Sequence, residues 1–335
     1  MKRREFIAVA GSMLLMRPVG GWAQQESKTA RIAFVHPAFA VDTLNETGNN
    51  PWRAFFGELR ALGYVEGKNL IIERVSGTGI SAQRYGELAR AALDNKPDLI
   101  VTAGFPTVQL VMAITNTTPI VAMVNDPVAT RLVASLARPG GNLTGVVVDA
   151  GLELWEKRFQ LLREVIPSAS TAGFLLPRDY WEQPYSRSIR QSAEKVGITL
   201  KLVGLGIPIG EQEITSAFAS LREQNLAALV INEGPVTLTH RRLIAALVQE
   251  ARVPALYPYR DFVETGGLMA YSVDVLSQTR YAAHQVDQIL KGSAPAEMPF
   301  FQATNYHLSI NLKTAKALGL TIPASLLARA DEVIE

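Results

Sequence analysis

The feature that most constrains the fold of this chain is the alternation of short, β-branched apolar runs with segments of helical periodicity. ARIAFVH (30–36) and PIVAMV (119–124) are two such runs, and PWRAFFGELRALGY (51–64) repeats apolar residues near a period of 3.6. Strands that are apolar almost throughout are typical of parallel sheets covered on both faces by helices. The pattern therefore predicts an α/β fold with parallel sheets.

The alternation continues through both halves of the 335 residues, a length that fits two such sheets. We expect the first sheet between about 30 and 148 and the second between about 151 and 272. A long helix at 275–292 and a further strand–helix pair follow. This tail has to pack somewhere, and its natural role is to complete the two lobes, so that the chain crosses between them more than once.

The first residues predict an export signal. MKRREFIAVAGSMLLMRPVGGWAQQ has a basic start, an apolar run from Phe6 to Met16 and Gly-Trp-Ala before Gln24, so we place residues 1–23 in a signal peptide cleaved after Ala23. The apolar run is too short for a stable membrane span. Arg3-Arg4 also fits a twin-arginine signal, and the choice between that route and an ordinary secretory signal stays open.

Composition narrows the possible functions. The chain has no cysteine, which excludes disulfides, cysteine metal sites and a cysteine nucleophile. The net charge is +2 and the basic residues are scattered, so no nucleic acid partner is expected. The four histidines are far apart, and neither a phosphate-binding loop nor a nucleophile elbow is present. We predict no catalytic residue, no metal site and no cofactor.

Ligands of open parallel α/β sheets bind beyond the carboxyl ends of the strands, so the loops at those ends supply the candidate site. Helix N-termini in these loops suit a carboxylate, acidic side chains suit an ammonium group, and aromatic rings can form apolar walls with a polar tip. The candidate ligand-binding residues are His36, Phe39, Ala103, Gly104, Phe105, Thr107, Asn125, Asp126, Tyr180, Trp181, Asn232, Glu233, Tyr257 and Tyr271.

The clearest of these loops is Asn125-Asp126-Pro127, where two polar side chains end an apolar strand. They could contact a ligand or cap a helix, since Asn and Asp accept bonds from unpaired N–H groups, and the two roles are compatible. The residues after Pro127 look helical, and Arg138 to Asn142 reads as the stop and turn of that helix. The other candidates also have plainer interpretations, as turn residues or as packing.

Several long segments resemble one family of proteins. They are MKRREFIAVAG…AQQ at the start, ELRALGYVEGKNLIIE (58–73), DPVATRLVASLARPGGNLTGV (126–146), GGLMAYS (266–272) and INLKTAKALGLTIPASLLARADEVIE (310–335). Together they are similar to the substrate-binding proteins of ABC transporters of the tryptophan/tyrosine-binding-like type. The resemblance implies a periplasmic binding protein of type I, in which two Rossmann-like lobes joined by three crossovers enclose a ligand cleft.

With that architecture we expect an N-terminal lobe of residues 30–149 plus about 273–303, and a C-terminal lobe of 150–272 plus about 304–335. By the resemblance, residues 103–107 and Asp126-Pro127 correspond to binding loops of the family. The chain departs from the family at His36 to Phe39, where Ser and Gly are common, and at the bulky Phe105, so a more apolar, even aromatic, solute becomes an option.

The resemblance implies a protein that captures a small solute, such as an amino acid, an aromatic acid or a related carboxylate. It would deliver the solute to a permease in the inner membrane that works with a cytoplasmic ATPase. We therefore expect a monomeric binding protein of the periplasm rather than an enzyme. Two alternatives stay open: an exported hydrolase that uses carboxylates in the same cleft, and a ligand-sensing lobe for a membrane receptor. The export signal argues against a DNA-binding repressor built on this fold.

Overall fold

The computed structural model of the chain describes residues 29–48, 50–148, 151–303 and 305–335, so the export signal expected at 1–23 lies outside the described residues. The strands in chain order are β1 (Ala30–His36), β2 (Leu70–Ser76), β3 (Leu99–Ala103), β4 (Ile120–Val124), β5 (Leu143–Val147), β6 (Thr171–Pro177), β7 (Thr199–Leu205), β8 (Ala228–Ile231), β9 (Ala255–Tyr257), β10 (Met269–Val273), β11 (Phe301–Gln302), β12 (Tyr306–Asn311) and β13 (Glu332–Ile334). The α-helices are α1 (Trp52–Ala61), α2 (Ala82–Asp94), α3 (Phe105–Ile114), α4 (Leu152–Val165), α5 (Pro184–Lys195), α6 (Glu211–Ala219), α7 (Pro235–Thr239), α8 (Arg241–Ala251), α9 (Arg260–Glu264), α10 (Val275–Leu290), α11 (Leu312–Ala317) and α12 (Ala324–Leu327).

These strands form two sheets, and the α/β fold predicted from the sequence is confirmed. The first has the order β11-β5-β4-β3-β1-β2 and the second β13-β12-β10-β9-β8-β6-β7. Within the described residues the neighbouring strands are parallel except for β12, which runs antiparallel to β10. Parallel strands place their carboxyl ends at one edge of each sheet, and the loops at that edge position the candidate site.

The chain passes from one sheet to the other at three places. The crossovers join β5 to α4, β10 to α10 and β11 to β12, so that α10 and β11 return to the first sheet. We keep the lobe ranges given above as a proposal, and it is supported by the sheet to which each strand belongs. Among the described residues no helix is both long and apolar enough to span a bilayer.

Helices α1 and α10 cover one face of the first sheet. The apolar side of α1 buries Trp52, Phe55 and Leu59, three and four residues apart. Helix α10 starts at the carboxylate of Asp274, which accepts the N–H groups of the first turn. The hydroxyl of Thr279 in α10 then donates to the Pro51 carbonyl at 3.0 Å. These contacts fix the return helix against the lobe that the chain had left at β5.

The helix predicted after Pro127 is wrong, because residues 126–142 form a series of turns. The Asp126 carboxylate accepts the N–H groups of Val128 and Ala129 at 3.1 and 2.9 Å. Arg131 has a φ of 59°, a left-handed value that interrupts a helix. The carbonyl of Leu136 accepts the N–H of Phe300 at 2.8 Å. Local polar contacts and a partner distant in sequence thus override the helical spacing of the apolar residues.

Candidate functional site

The loops at the carboxyl ends of the two sheets meet between the lobes, and Gly104 and Pro235 form one of their contacts. Gly104 precedes α3 and has a φ of 82°, a conformation that favours glycine. A Cβ atom at Gly104 would lie 3.7 Å from the ring of Pro235, which begins α7 in the other lobe. The β3–α3 loop and the β8–α7 loop are therefore within van der Waals range of one another.

A hydrogen bond between side chains joins the lobes beside this contact. The amide of Asn125, at the end of β4, donates to Oε2 of Glu233 at 2.9 Å. Glu233 follows β8 and is buried. Its Oε1 lies 2.6 Å from Nη1 of Arg158, and both side chains of this ion pair are 1% exposed. A residue from the first sheet is thus connected through a carboxylate to a buried guanidinium group of the second lobe.

Arg158 also contacts strand β10 and the loop after β9 in the second sheet. Its Nε donates to the Tyr271 carbonyl at 2.8 Å, and Nη2 donates to the Pro258 carbonyl at 3.1 Å. Its guanidinium carbon lies 4.8 Å from the ring centroid of Trp155. Because the planar guanidinium carries five fixed donors, one side chain can set the positions of the loops after β8 and β9 and of strand β10.

Arg158 is absent from the sequence-predicted site, although the sequence contains a signal for it. Helix α4 buries an apolar side that includes Trp155, Phe159 and Leu162, and Arg158 lies on that same side. A charged side chain within an apolar helix face needs a buried partner, because an unpaired charge in the interior is very costly. That rule indicates a buried carboxylate, and the structure places Glu233 there.

Asp126 closes the loop after β4 through the two N–H groups that its Oδ1 accepts. A Cβ atom at Gly151, the residue before α4, would lie 3.8 Å from Oδ2 of Asp126. The capping interpretation is correct in its chemistry, although a turn rather than a helix follows. The carboxylate thus stands at the first crossover, between the two lobes.

His36, at the end of β1, is fully buried. Its Nδ1 accepts the N–H groups of Ala38 and Phe39 at 3.2 and 3.0 Å, which leaves the proton of the neutral ring on Nε2. The ring lies between those of Phe39 and Trp52, with centroid distances of 4.8 and 5.7 Å. Burial lowers the pKa of His36 from 6.5 to about 3. The residue fixes the shape of the first loop, and its contact with a solute stays a prediction.

The aromatic candidates of the second lobe occupy two different environments. Tyr180, Trp181 and Tyr271 are partly buried and pack against the apolar core on the α4 side of the sheet. The guanidinium carbon of Arg190 lies 4.0 Å from the ring centroid of Trp181. Tyr257 is 1% exposed, and its ring stacks on Phe262 with centroids 5.0 Å apart. Tyr257 therefore belongs to the hydrophobic core, and we withdraw its assignment as a wall of the cleft.

The remaining candidates lie in the loops after β3 and β8. Ala103 is buried, Phe105 is partly buried, and Thr107 is buried where its hydroxyl meets that of Tyr85 in α2 at 3.5 Å. The amide of Asn232 donates to the Glu233 carbonyl at 2.9 Å and shapes the β8–α7 loop. In the described part of the chain no three His, Asp or Glu side chains are grouped so that they could hold a metal ion.

Two α/β lobes joined by three crossovers, with their strand-end loops facing each other, define a periplasmic binding protein of type I. Known proteins share this fold and its sequence pattern. The description "ABC transporter substrate binding protein" belongs to a family model that matches residues 53–334. The chain belongs to this family.

Individual relatives agree with that assignment. The curated tyrosine-binding protein of Clostridioides difficile is 22% identical over 270 residues, which are 80% of this chain and 76% of that protein. A Streptococcus ABC domain solved in complex with L-Trp superimposes with a TM-score of 0.77 at 24% identity, covering 92% of this chain and 100% of that one. A conserved domain protein of Vibrio cholerae gives 0.78 at 26% identity, with 91% and 100% covered.

Proposed function

We propose that this substrate-binding protein captures a small solute by closure of its two lobes and delivers it to a membrane permease that works with a cytoplasmic ATPase. The observation that carries the proposal is the hydrogen bond from Asn125 to Glu233, because it joins strand-end loops of both lobes. A solute that touches both loops would favour the closed arrangement through its higher affinity for that state.

The solute that we propose is an amino acid with an aromatic side chain, within the wider class of amino acids, aromatic acids and related carboxylates. Two relatives support this class, since one is a tyrosine-binding protein and another was solved with L-Trp. The partly buried rings of Phe105 and Tyr271 are suited to an aromatic solute, and Asp126 to its ammonium group. We assign the ammonium group to Asp126, because its carboxylate lies at the first crossover, between the two lobes.

We further propose that the protein works in the periplasm as a monomer, after export directed by residues 1–23. Substrate-binding proteins of ABC importers act outside the cytoplasm, which agrees with the basic and apolar start of this chain. N-terminal sequencing of the mature protein would test cleavage after Ala23. Replacing Arg3 and Arg4 by lysine would separate the two export routes, because it should block only the twin-arginine route.

A ligand screen tests the solute. L-Tyr, L-Trp, L-Phe and aromatic acids that lack an amino group are compared by thermal shift, since a ligand of the folded state raises Tm. Isothermal titration then measures the affinity of the best one. Asp126→Asn keeps the oxygen that accepts from Val128 and Ala129 but removes the charge, so it should weaken amino acid binding by about 1–3 kcal/mol.

The exposed carboxylate of Asp94, at the end of α2, provides the control, and Asp94→Asn should bind like the wild type. Equal affinities of Asp126→Asn and the wild type would remove Asp126 from the site. Recovery of the bound solute without chemical change is expected of a binding protein. Conversion of the solute to a product would instead support the hydrolase alternative.

A further inference from the structure

A cavity of about 490 Å³ lies beside the cleft, close to the crossover from β10 to α10. Its volume falls within the roughly 300–1,000 Å³ of small-molecule sites. Asn50 to Arg53 and the start of α10 line it from the first lobe, and β12, β13 and the start of α9 line it from the second. None of the ligand-binding residues predicted from the strand ends lines it, so its lining does not overlap with the site described above.

The lining of the cavity carries an excess of negative charge. Five carboxylates, those of Asp261, Glu264, Asp274, Asp331 and Glu332, face three arginines and one histidine. One of these arginines, Arg260, is already paired, because its Nε lies 3.2 Å from Glu264 and 2.8 Å from Glu332. This electrostatic environment favours a cation over an anion.

Asp261 is the carboxylate with capacity for a ligand. Asp274 caps α10, and Asp331 accepts the N–H of Leu308 at 2.7 Å. The side chain of Asp261, in the first turn of α9, has neither a hydrogen-bond partner nor an ion-pair partner among the described residues. It is only partly exposed, and a half-buried carboxylate gains from a cation more than a solvated one does.

A second, independent feature is the hydroxyl of Ser309 in β12. Ser309 is 1% exposed and lines the cavity, while its neighbours Leu308 and Ile310 point into the core on the other face. Its Oγ has no hydrogen-bond partner among the described residues. A buried hydroxyl without a partner is uncommon in a native protein and costs stability. A ligand that donates a hydrogen bond to Oγ would remove this cost.

The arrangement of these groups suits an organic cation better than a metal ion. The carboxylates are spread around the wall, and no three such groups of the described chain converge as metal ligands do. We propose that the cavity binds a small organic cation with primary ammonium groups, which donate to the Asp261 carboxylate and to the Ser309 hydroxyl. A short aliphatic diamine has this chemistry, because it carries ammonium donors at both ends.

Both proposed contacts, Asp261 and Ser309, belong to the second lobe, and Asn50, Pro51 and Arg53 of the first lobe line the cavity opposite them. The inference goes beyond solute capture. It adds a second ligand, bound close to the crossover from β10 to α10.

Titration of the full mature protein with 1,4-diaminobutane tests the site, with thermal shift and isothermal titration as readouts. Butane-1,4-diol and succinate are the neutral and anionic comparisons of similar length. The diamine should bind and raise Tm, and the other two should not. Asp261→Asn should weaken diamine binding about tenfold or more, and Ser309→Ala should weaken it severalfold. Asp94→Asn, at an exposed carboxylate outside the cavity, should match the wild type.

Ser309→Ala removes a hydroxyl that has no partner, so this variant should fold at least as stably as the wild type, and its Tm without diamine checks this. Absence of diamine binding by the wild type, or an unchanged affinity in Asp261→Asn, would overturn the proposal. L-Tyr or L-Trp is titrated into the same variants. Aromatic amino acids that fail to bind contradict the proposed solute and leave the diamine result unaffected.

Discussion

At the scale of single residues, His36 combines complete burial with a specific hydrogen-bonding role. Its Nδ1 accepts two backbone N–H groups of the first loop, and its pKa is lowered to about 3 by burial. The ring therefore stays neutral in the folded protein at pH values where a histidine of the unfolded chain is protonated. Folding and proton binding are linked at this site.

We predict that His36→Asn removes part of the pH dependence of stability. The folded pKa lies below the unfolded value of 6.5, so the unfolded state binds more protons between about pH 3 and 6.5. The stabilisation is thus fully present above 6.5 and is lost as the pH falls. From pH 7 to 5 the free energy of unfolding of the wild type should fall by about 2 kcal/mol more than that of His36→Asn.

Urea unfolding at the two pH values measures this difference. His284 is half exposed, with its Nε2 3.1 Å from Glu58, and His284→Asn is the control that should keep most of the wild-type dependence. If the free energy of unfolding of His36→Asn depends on pH as strongly as that of the wild type, the proposed linkage is contradicted.

At the scale of elements, helix α4 helps to position the loops beside the cleft through the side chain of Arg158. Arg158 connects this helix to the loops after β8 and β9 and to strand β10. The amphipathic pattern predicts the position of the helix, because apolar residues recur at its period. It does not predict which loops the arginine contacts, since that depends on strands more than 70 residues further along the chain.

We predict that Arg158→Met destabilises the fold by about 3–5 kcal/mol, because it leaves the Glu233 carboxylate buried without its cation. The double variant Arg158→Met, Glu233→Met should recover much of this loss, since a pair of apolar residues of similar volume has no charge to desolvate. Guanidinium chloride unfolding of the wild type, the single variant and the double variant supplies the measurement.

The surface pair of Arg329 with Glu164 is the comparison, and Arg329→Met should cost less than about 1 kcal/mol. If Arg158→Met also costs less than about 1 kcal/mol, the Glu233 carboxylate has sufficient hydrogen-bond partners without the arginine. No recovery in the double variant would indicate that the network, and not its charge balance, stabilises the loops.

The segment after Pro127 shows where prediction from the sequence fails at this scale. Its apolar residues have helical spacing, and Leu132 and Leu136 do pack against the core of the first lobe. The Asp126 carboxylate nevertheless accepts the first N–H groups of the segment, and the N–H of Phe300 donates to the Leu136 carbonyl. Spacing thus predicts correctly which residues face the core, but the backbone conformation depends on polar partners that spacing does not reveal.

At the scale of the whole molecule, the two-lobed α/β fold could be predicted from the sequence because nearly every central strand is an uninterrupted apolar run. The candidate site could be predicted only in part. The rule of strand ends brings Asn125 and Glu233 to the same cleft, and they form a hydrogen bond there. The same rule places Tyr257 in the cleft, whereas alternation along β9 directs its ring into the core.

We predict that Asn125→Ala shifts the unliganded protein towards an open arrangement, because the mutation removes a hydrogen bond that joins the lobes. Small-angle X-ray scattering should give a larger radius of gyration for Asn125→Ala than for the wild type, and a saturating solute should reduce the difference. The amide of Asn142 donates to the Thr118 carbonyl at 2.7 Å within the first lobe, so Asn142→Ala should scatter like the wild type. Identical curves for all three proteins would contradict a role of Asn125 in closure.

The contacts of α10 have a mechanical consequence for the proposed closure of the lobes. Just after the crossover, Gln278 donates to the Val147 carbonyl at the end of β5, and Thr279 donates to Pro51 before α1. The helix is therefore clamped to the first lobe within about one turn of its start, at a position next to another crossover. At this crossover we therefore expect bending in the few residues between β10 and these contacts. We expect the two lobes to move relative to each other by a hinge rotation about one well-defined axis.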